Sequence, residues 1–221
     1  MKSFCIKNGI FFILFIWCFS CSTNLNEPIE FAVSEGVMNN LNFDPIGMQS
    51  GQKMPKILVY KLNGQRRPLF QSNSGRPMLV VTGSYTCDVT RAQLPGLQRI
   101  KDAYQNRMDI VLVNTLEAHP QSSQSPYSAE PAPWPSIDNI NQGISAEQPL
   151  TMQGRRDLAE QWVKEQQIEV PVVLDGPKNE FWKQAGQAPN MAVLINAEGE
   201  IISKQAWFSE EKLIEAIETE L

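Results

Sequence analysis

The chain has 221 residues, of which 42% are apolar and 19% are charged, proportions typical of one globular domain with tails. Its 24 acidic residues outnumber its 19 Lys and Arg residues, and no basic run occurs, so we expect no nucleic-acid partner. A single histidine and four scattered cysteines exclude a multi-histidine metal cage and a paired zinc site, and we expect neither a metal nor another cofactor.

Residues 1–21 have the pattern of an export signal. Lys2 and Lys7 precede an apolar run at 10–17, which is shorter than the about 20 residues that a membrane-spanning helix needs. The small residue followed by Cys21 at the end of this segment resembles the lipobox of bacterial lipoproteins. That resemblance implies lipidation of Cys21 and an exported lipoprotein anchored to a membrane of the bacterial cell envelope. An uncleaved anchor and a plain secretory signal are the alternatives.

The rest of the chain divides into a tether, a domain and an insertion within that domain. Residues 22–54 have few periodic apolar positions and predict a tether, with a short packed segment within it as the alternative. The domain is expected over 55–221, with an insertion at about 120–150 that is rich in Pro, Ser, Gln and Asn. Long loops of this kind often carry binding residues, so the insertion is a candidate for a binding function.

Short apolar runs and helical periodicities alternate along the domain. In chain order they predict strands at 57–60, 79–82, 110–113, 170–174, 191–195 and 201–202, and helices at 87–107, 155–167, 179–186 and 210–221. The run at 110–113 is unbroken, which favours a strand covered on both faces. This order predicts an α/β protein of the thioredoxin-like fold, with a central mixed β-sheet and helices on both faces.

If the signal is removed and Cys21 carries lipid, Cys87 is the one thiol left in the domain. No disulfide can then form within the domain, although exported compartments favour disulfides. Such a thiol is buried and inert, bonded to another molecule, or kept reactive. Cys87 lies between a predicted strand and a predicted helix, where the helix dipole and free N–H groups lower the pKa of a thiol. Hydroxyl groups at Ser84 and Thr86 are expected to donate hydrogen bonds to the thiolate.

Two short segments carry a resemblance to a known family. Segment 83–87 reads GSYTC and segment 117–120 reads EAHP. Their sequences and spacing resemble those of the iodothyronine deiodinases and their bacterial relatives, and the similarity spans roughly residues 56–205. Either segment alone would be a weak signal, so the resemblance depends on the spaced pair.

The resemblance implies roles for several side chains. Cys87 stands where the family has its selenocysteine nucleophile, and His119 and Glu117 match its His and Glu. Neighbouring parallel strands would deliver these groups to one sheet edge, where His119 would protonate a leaving group and Glu117 would orient the imidazole. Tyr85 stands where the family has an auxiliary cysteine.

Residues beside the thiol are expected to contact the substrate, namely Ser84, Tyr85, Thr86 and Pro189. Pro189 lies close to the place where thioredoxin-like proteins usually carry a cis-proline that faces the active cysteine. An ordinary trans turn proline is the alternative, since most X–Pro bonds are trans.

Three functions are consistent with this sequence. The first is a thiol-dependent reductive dehalogenase that resembles the deiodinases, in which Cys87 attacks a small-molecule substrate. Because Thr90 occupies the second place of a would-be CxxC pair, an external thiol or a thioredoxin-like protein would supply the electrons. The second is a one-cysteine thiol peroxidase or general thiol-disulfide oxidoreductase. The third is a non-catalytic surface lipoprotein of the same fold, for which Cys87 would be buried, of ordinary pKa and dispensable.

Overall fold

The computed structural model describes residues 25–71 and 75–220. The export signal predicted at 1–21 and the lipidation predicted at Cys21 lie outside these residues. In the part of the chain that is described, no helix has the length and apolar content needed to cross a membrane.

A mixed sheet with seven strands in the described residues forms the centre of the molecule. The strands are β1 (Leu58–Lys61), β2 (Arg66–Pro68), β3 (Met78–Gly83), β4 (Asp109–Asn114), β5 (Val172–Leu174), β6 (Ala192–Ile195) and β7 (Ile201–Gln205). The helices are α1 (Asp88–Tyr104), α2 (Ile137–Gln142), α3 (Met152–Glu165), α4 (Glu180–Ala185) and α5 (Glu210–Glu220), with a short 3-10 helix at Glu35–Asn39. In space the strands follow the order β2-β1-β5-β4-β3-β6-β7. Strands β3, β4 and β5 are parallel, and β1 and β6 flank them in antiparallel pairing.

This arrangement confirms the predicted fold class. The predicted strands and helices all occur within a few residues of their expected bounds. Three elements were not predicted: β2, α2 and the 3-10 helix. Strand β2 consists of two arginines and a proline, and α2 is a six-residue helix that follows a proline-rich stretch, so neither shows an apolar period long enough to be recognised.

The sheet separates two apolar cores. One face packs against α1, α3 and α5, in a cluster that includes Leu79, Leu112, Leu97, Trp162 and Leu213. The other face packs against α4 and the N-terminal segment, in a cluster that includes Val80, Val113, Trp182 and Phe43. Because successive strand residues point to opposite faces, the unbroken apolar runs of β3 and β4 supply both cores. Because both faces of β3 and β4 are packed, the edge of the sheet at which these two strands end is held in place.

The segment predicted as a tether is packed on the domain from Leu25 onward. The side chain of Phe43 is 1% exposed, and its ring meets the Tyr127 ring edge-on with centroids 5.9 Å apart. The N–H of Ile29 donates to the carbonyl of Leu150 at 2.9 Å. The apolar residues of this segment are irregularly spaced, so they show no helical or strand period although they cover one face of the domain. The packed unit therefore begins well before the expected boundary.

Candidate functional site

Cys87 lies at the junction of β3 and α1, as the sequence predicted. It is the N-cap residue of α1, and its Sγ accepts a hydrogen bond from the backbone N–H of Thr90 at 3.4 Å. Gly83 permits this approach of helix to strand, since a Cβ there would lie 2.5 Å from Cγ2 of Thr90 and 2.9 Å from the Trp162 ring. The helix therefore begins directly over the end of the strand.

The thiol is enclosed, however, and its pKa moves in the opposite direction to the prediction. Cys87 is 0% exposed and belongs to an apolar cluster with Leu116, Ala118 and Tyr127. Burial raises the pKa of this thiol to about 11, and hydrogen bonding to Thr90 lowers it by less. The expectation of a thiolate stabilised at the helix N-terminus is therefore wrong for the described state, because loss of hydration outweighs the favourable N–H groups.

Hydrogen bonds join the loop before Cys87 to the segment that follows β4. Oε2 of Glu117 accepts from the Thr86 N–H at 2.7 Å and from the Thr86 hydroxyl at 2.8 Å. The same hydroxyl accepts the N–H of His119 at 3.1 Å, and Oγ of Ser84 accepts the N–H of Ala118 at 3.2 Å. The two segments thus meet at one sheet edge, as expected from neighbouring parallel strands. The hydroxyl groups of Ser84 and Thr86 hold the two segments together. The prediction that they donate hydrogen bonds to the Cys87 sulfur is wrong for the described residues, because each bonds to the Glu117–His119 segment instead.

Glu117 is a buried carboxyl group with an incomplete set of partners. It is 1% exposed, and its Oε1 has no hydrogen-bond partner among the described residues. Burial raises its pKa, and the hydrogen bonds from Thr86 oppose that shift. Its backbone is clamped by the Gln148 side chain, which accepts from the Glu117 N–H at 3.0 Å and donates to the Glu117 carbonyl at 2.5 Å.

The imidazole of His119 is oriented by groups other than Glu117. Its Nδ1 lies 2.8 Å from the carbonyl oxygen of Trp134, and its Nε2 lies 3.5 Å from Oδ1 of Asp88. Since a carbonyl only accepts, Nδ1 carries the hydrogen. The Trp134 ring meets the imidazole edge-on, with centroids 5.1 Å apart. The prediction that Glu117 orients the imidazole is therefore wrong, and no hydrogen bond in the described residues joins this ring to Cys87.

A second layer of residues, which the sequence did not predict, holds the backbone just before Cys87. The Arg91 guanidinium donates to the carbonyl of Tyr85 at 3.1 Å and to Oδ1 of Asn139 at 2.5 Å. Nδ2 of Asn139 donates to the carbonyl of Thr86 at 2.8 Å. One feature of the sequence pointed to this layer. Arg91 lies in the first turn of a helix, where the positive end of the helix dipole disfavours a cation, so Arg91 needs a specific partner.

The other residues predicted to contact the substrate, Tyr85 and Pro189, are also buried inside the domain. The Tyr85 hydroxyl donates to Oε2 of Glu165 at 2.6 Å, and burial, with help from this bond, raises the pKa of Tyr85 to about 12. Pro189 is buried, and its peptide bond is trans, since the described residues include no cis peptide bond. The adjoining loop is fixed by Thr82, whose hydroxyl donates to the Ala188 carbonyl at 3.3 Å.

A pocket of 360 Å³ opens beside His119. Gln121, Asn139 and Ser145 contribute its other polar side chains, and its apolar wall includes Ile140 and Ile144. Its volume is within the range of about 300–1,000 Å³ that is usual for small-molecule sites. Cys87 is not among its lining residues. A larger pocket, of 730 Å³, lies by the turn between β6 and β7, and none of the residues near Cys87 line it.

Comparisons with known proteins bear on the fold. No protein-family model matches this chain. A thioredoxin-like protein of Bacillus subtilis, YneN, is 25% identical over 79 residues, which are 36% of this chain and 46% of that protein. The chain thus matches less than half the length of this relative.

Solved structures match over more of the chain. A putative thiol:disulfide interchange protein DsbE from Chlorobium tepidum is 16% identical, with a TM-score of 0.53 over 78% of this chain and 98% of that one. A thiol:disulfide interchange protein from Bacteroides sp. is 16% identical, with a TM-score of 0.52 over 78% and 90%. A thiol-disulfide oxidoreductase from Bacteroides fragilis is 14% identical, with a TM-score of 0.52 over 77% and 100%. The chain therefore has the thioredoxin-like fold that the order of its strands and helices predicted.

Proposed function

We propose that this chain is a thiol-disulfide oxidoreductase that works with one cysteine, Cys87. The observation that carries this proposal is the position of Cys87, at the N-cap of α1 directly after the central strand β3, with the Thr90 N–H bonded to its sulfur. Solved structures that share this fold include thiol:disulfide interchange proteins, which supports the same chemistry here.

The reaction is thiol-disulfide exchange in two stages. After the Cys87 thiol loses its proton, the sulfur attacks one sulfur of a partner disulfide. The partner's S–S bond breaks, a mixed disulfide forms, and the other partner sulfur leaves as a thiolate that takes up a proton. Thr90 stands where a resolving cysteine would be, so an external thiol attacks Sγ of Cys87 and releases the partner. A second external thiol, or the second thiol of a thioredoxin-like reductant, then frees Cys87 and leaves as the oxidised disulfide.

Enclosure of the thiol determines how this reaction proceeds. With a pKa of about 11, Cys87 is protonated at neutral pH in the described state. Exchange therefore requires both that the sulfur becomes exposed and that the thiol loses its proton, and each requirement limits the rate.

Reductive dehalogenation of the deiodinase type is a second candidate. The pocket beside His119 favours it, because this pocket is suited to a small-molecule substrate and His119 lines it. Cys87 does not line the pocket, whereas exchange with a protein disulfide needs no enclosed small molecule. Thiol-disulfide exchange is therefore the better supported of the two.

The proposed location is the outside of a bacterial membrane, with lipid on Cys21 as the anchor. Disulfide chemistry belongs to such oxidising compartments, which agrees with the export signal at 1–21. Fractionation of cells that express the Cys21→Ser variant tests the anchor, since this variant should leave the membrane fraction.

Mixed-disulfide formation tests the proposed reaction. The full chain is incubated with a small aromatic disulfide between pH 7 and pH 10, and the peptide that carries Cys87 is followed by mass spectrometry. We expect an adduct whose rate of formation rises throughout this range, because the thiol has a pKa of about 11. The Cys87→Ser variant is the matched control and should show no adduct at this peptide.

Three other results would change the assignment. No adduct at any pH at which the chain stays folded would favour the non-catalytic lipoprotein. Iodide release from an iodinated phenol, without reduction of a protein disulfide, would favour the dehalogenase. Oxidation of Cys87 to sulfenic acid by peroxide, faster than exchange with disulfides, would favour the peroxidase.

A further inference from the structure

Helix α2 presents apolar side chains to solvent beside the candidate site. Ile137 and Ile140 are 74% and 67% exposed, and their spacing of three residues places them on one face of the helix. Trp134, which precedes the helix, is 41% exposed. We call these three residues the α2 surface. A helix in a soluble protein normally turns its apolar face to the core, so this one is available for a partner.

The exposed charges of the segment that carries the α2 surface have one sign, and the cation beside it, Arg91, is buried and donates to Asn139 on the inner side of α2 at 2.5 Å. Residues 120–154 contain no Lys or Arg, and their three acidic residues, Glu130, Asp138 and Glu147, are all exposed. Asp138 lies on α2 itself, between the two isoleucines. A partner with Lys or Arg side chains is therefore favoured. The net charge of the chain, −5, makes a second copy or an anionic lipid surface a poor occupant.

The pocket beside His119 adjoins the α2 surface. Ile140 belongs to both, and Pro135 and Ile144 complete an apolar wall. With a volume of 360 Å³, the pocket is large enough to accept one aromatic or aliphatic side chain. The combination of an exposed apolar strip and an adjoining pocket is typical of a site that binds an extended polypeptide by an anchoring side chain.

The inward side of α2 is hydrogen-bonded to the residues that precede and follow the thiol. Asn139 is 2% exposed and donates to the carbonyl of Thr86, the residue before Cys87, at 2.8 Å. Ser136, the N-cap of α2, donates to the carboxylate of Asp88, the residue after Cys87. The α2 surface is therefore held at a constant distance from the sulfur, as a docking site for the reaction partner requires.

We propose that the α2 surface binds the polypeptide whose disulfide reacts with Cys87, and that this partner segment is cationic and carries an apolar side chain. The apolar side chain fills the pocket beside His119, and Lys or Arg residues next to it pair with Asp138 and Glu147. This proposal rests on the proposed function, since it names the partner class of that reaction.

Cysteine-free peptides test recognition separately from thiol chemistry. The full chain is titrated into a fluorescent short peptide that alternates Phe and Arg, into a twin with Glu for Arg, and into a twin with Ser for Phe. We expect the Phe-Arg peptide to bind at least about tenfold more tightly than either twin. Equal affinity for all three peptides would overturn the proposal. Because the probes contain no cysteine, this result does not depend on whether Cys87 forms a mixed disulfide.

Variants locate the binding. The double variant Ile137→Ser with Ile140→Ser should bind the Phe-Arg peptide about tenfold more weakly. Met38→Ser is the matched control, because Met38 is 88% exposed on the 3-10 helix and should not affect binding. The Asp138→Asn variant should reduce the dependence of binding on salt. Unchanged binding by the double variant, or an equal loss in the Met38→Ser variant, would overturn the assignment to α2.

Discussion

Two regions on either side of Asn139 differ in almost every physical respect. Inward, the loop that ends in Cys87 and the segment that begins at Glu117 are buried and joined by hydrogen bonds. Outward, the α2 surface is exposed, apolar and bordered by carboxylates. The inward region holds Cys87, the proposed reactive group, whose sulfur is enclosed. The outward region has no reactive group, but it has the surface and the pocket that recognition needs.

Under the two proposals above, reactivity and recognition are separated in this molecule. Substitutions in the inward region should act mainly on the free energy of unfolding, because each group there is buried with specific partners. Substitutions on the α2 surface should act on partner affinity and leave the free energy of unfolding almost unchanged. The three predictions below test this division, from the largest expected effect to the smallest.

Arg155→Met should have the largest effect on stability, because Arg155 is a buried cation of α3 that interacts electrostatically with Glu117 of the inward region. Arg155 is 0% exposed, its guanidinium donates to the carbonyl of Asp175 at 2.9 Å, and its charge offsets the buried carboxyl groups of Glu117 and Asp175. Its loss removes the cation that offsets these two buried carboxyl groups, so we expect the free energy of unfolding to fall by about 3–5 kcal/mol, measured by urea denaturation.

The neighbouring arginine supplies the control for that measurement. Arg156 forms ion pairs at 3.3 Å with Asp157 and at 3.7 Å with Glu160, both of which are largely exposed. Arg156→Met should therefore lower the free energy of unfolding by less than about 1 kcal/mol. Equal losses of unfolding free energy in the two variants would show that burial of Arg155 does not increase its contribution to stability.

The buried thiol should make stability depend on alkaline pH. The unfolded thiol ionises near its ordinary pKa of 9.0, whereas the folded thiol ionises near 11, so the folded state keeps its proton longer. Its contribution is complete below pH 9 and is lost as the pH rises towards 11. Relative to Cys87→Ala, the unsubstituted chain should lose about 2–3 kcal/mol over this interval, measured by urea denaturation at each pH. Parallel pH profiles for the two chains would show that the thiol is not enclosed in solution.

Replacement of the α2 isoleucines should have the smallest effect on stability. Both side chains are more than half exposed, so Ile137→Ser with Ile140→Ser removes little buried area. We expect the free energy of unfolding to change by no more than about 0.5 kcal/mol in urea denaturation. A loss comparable with that of Arg155→Met would mean that α2 is packed in solution, and the division between the two regions would not hold.

The fold was largely predictable because its signals are local. Apolar runs marked β3 and β4, and helical periodicity marked α1 and α3. The position of Cys87 between β3 and α1 followed from the same local patterns. The N-terminal segment was predicted incorrectly because Phe43 and its neighbours have no regular spacing, so only their tertiary contacts reveal them as core residues.

Within the candidate site, some contacts were also predictable. The parallel pairing of β3 and β4 brings Thr86 and Glu117 to one sheet edge, and these residues do meet there. The orientation of the imidazole was not predictable, since its partners are Asp88 and the carbonyl of Trp134, which lie on separate parts of the chain. No local pattern associates an insertion loop with the ring of His119.

The sequence by itself determined the order of strands and helices and the junction at which the thiol lies, because both depend on residues close together in the chain. Only the tertiary structure decided the ionisation of that thiol. Its pKa depends on which distant side chains exclude water from it, and Tyr127 and Ala118 do so from the far side of β4 in the sequence. Tertiary structure likewise decided which helix lies over the site, since Asn139 contacts Thr86 across 53 positions of the chain.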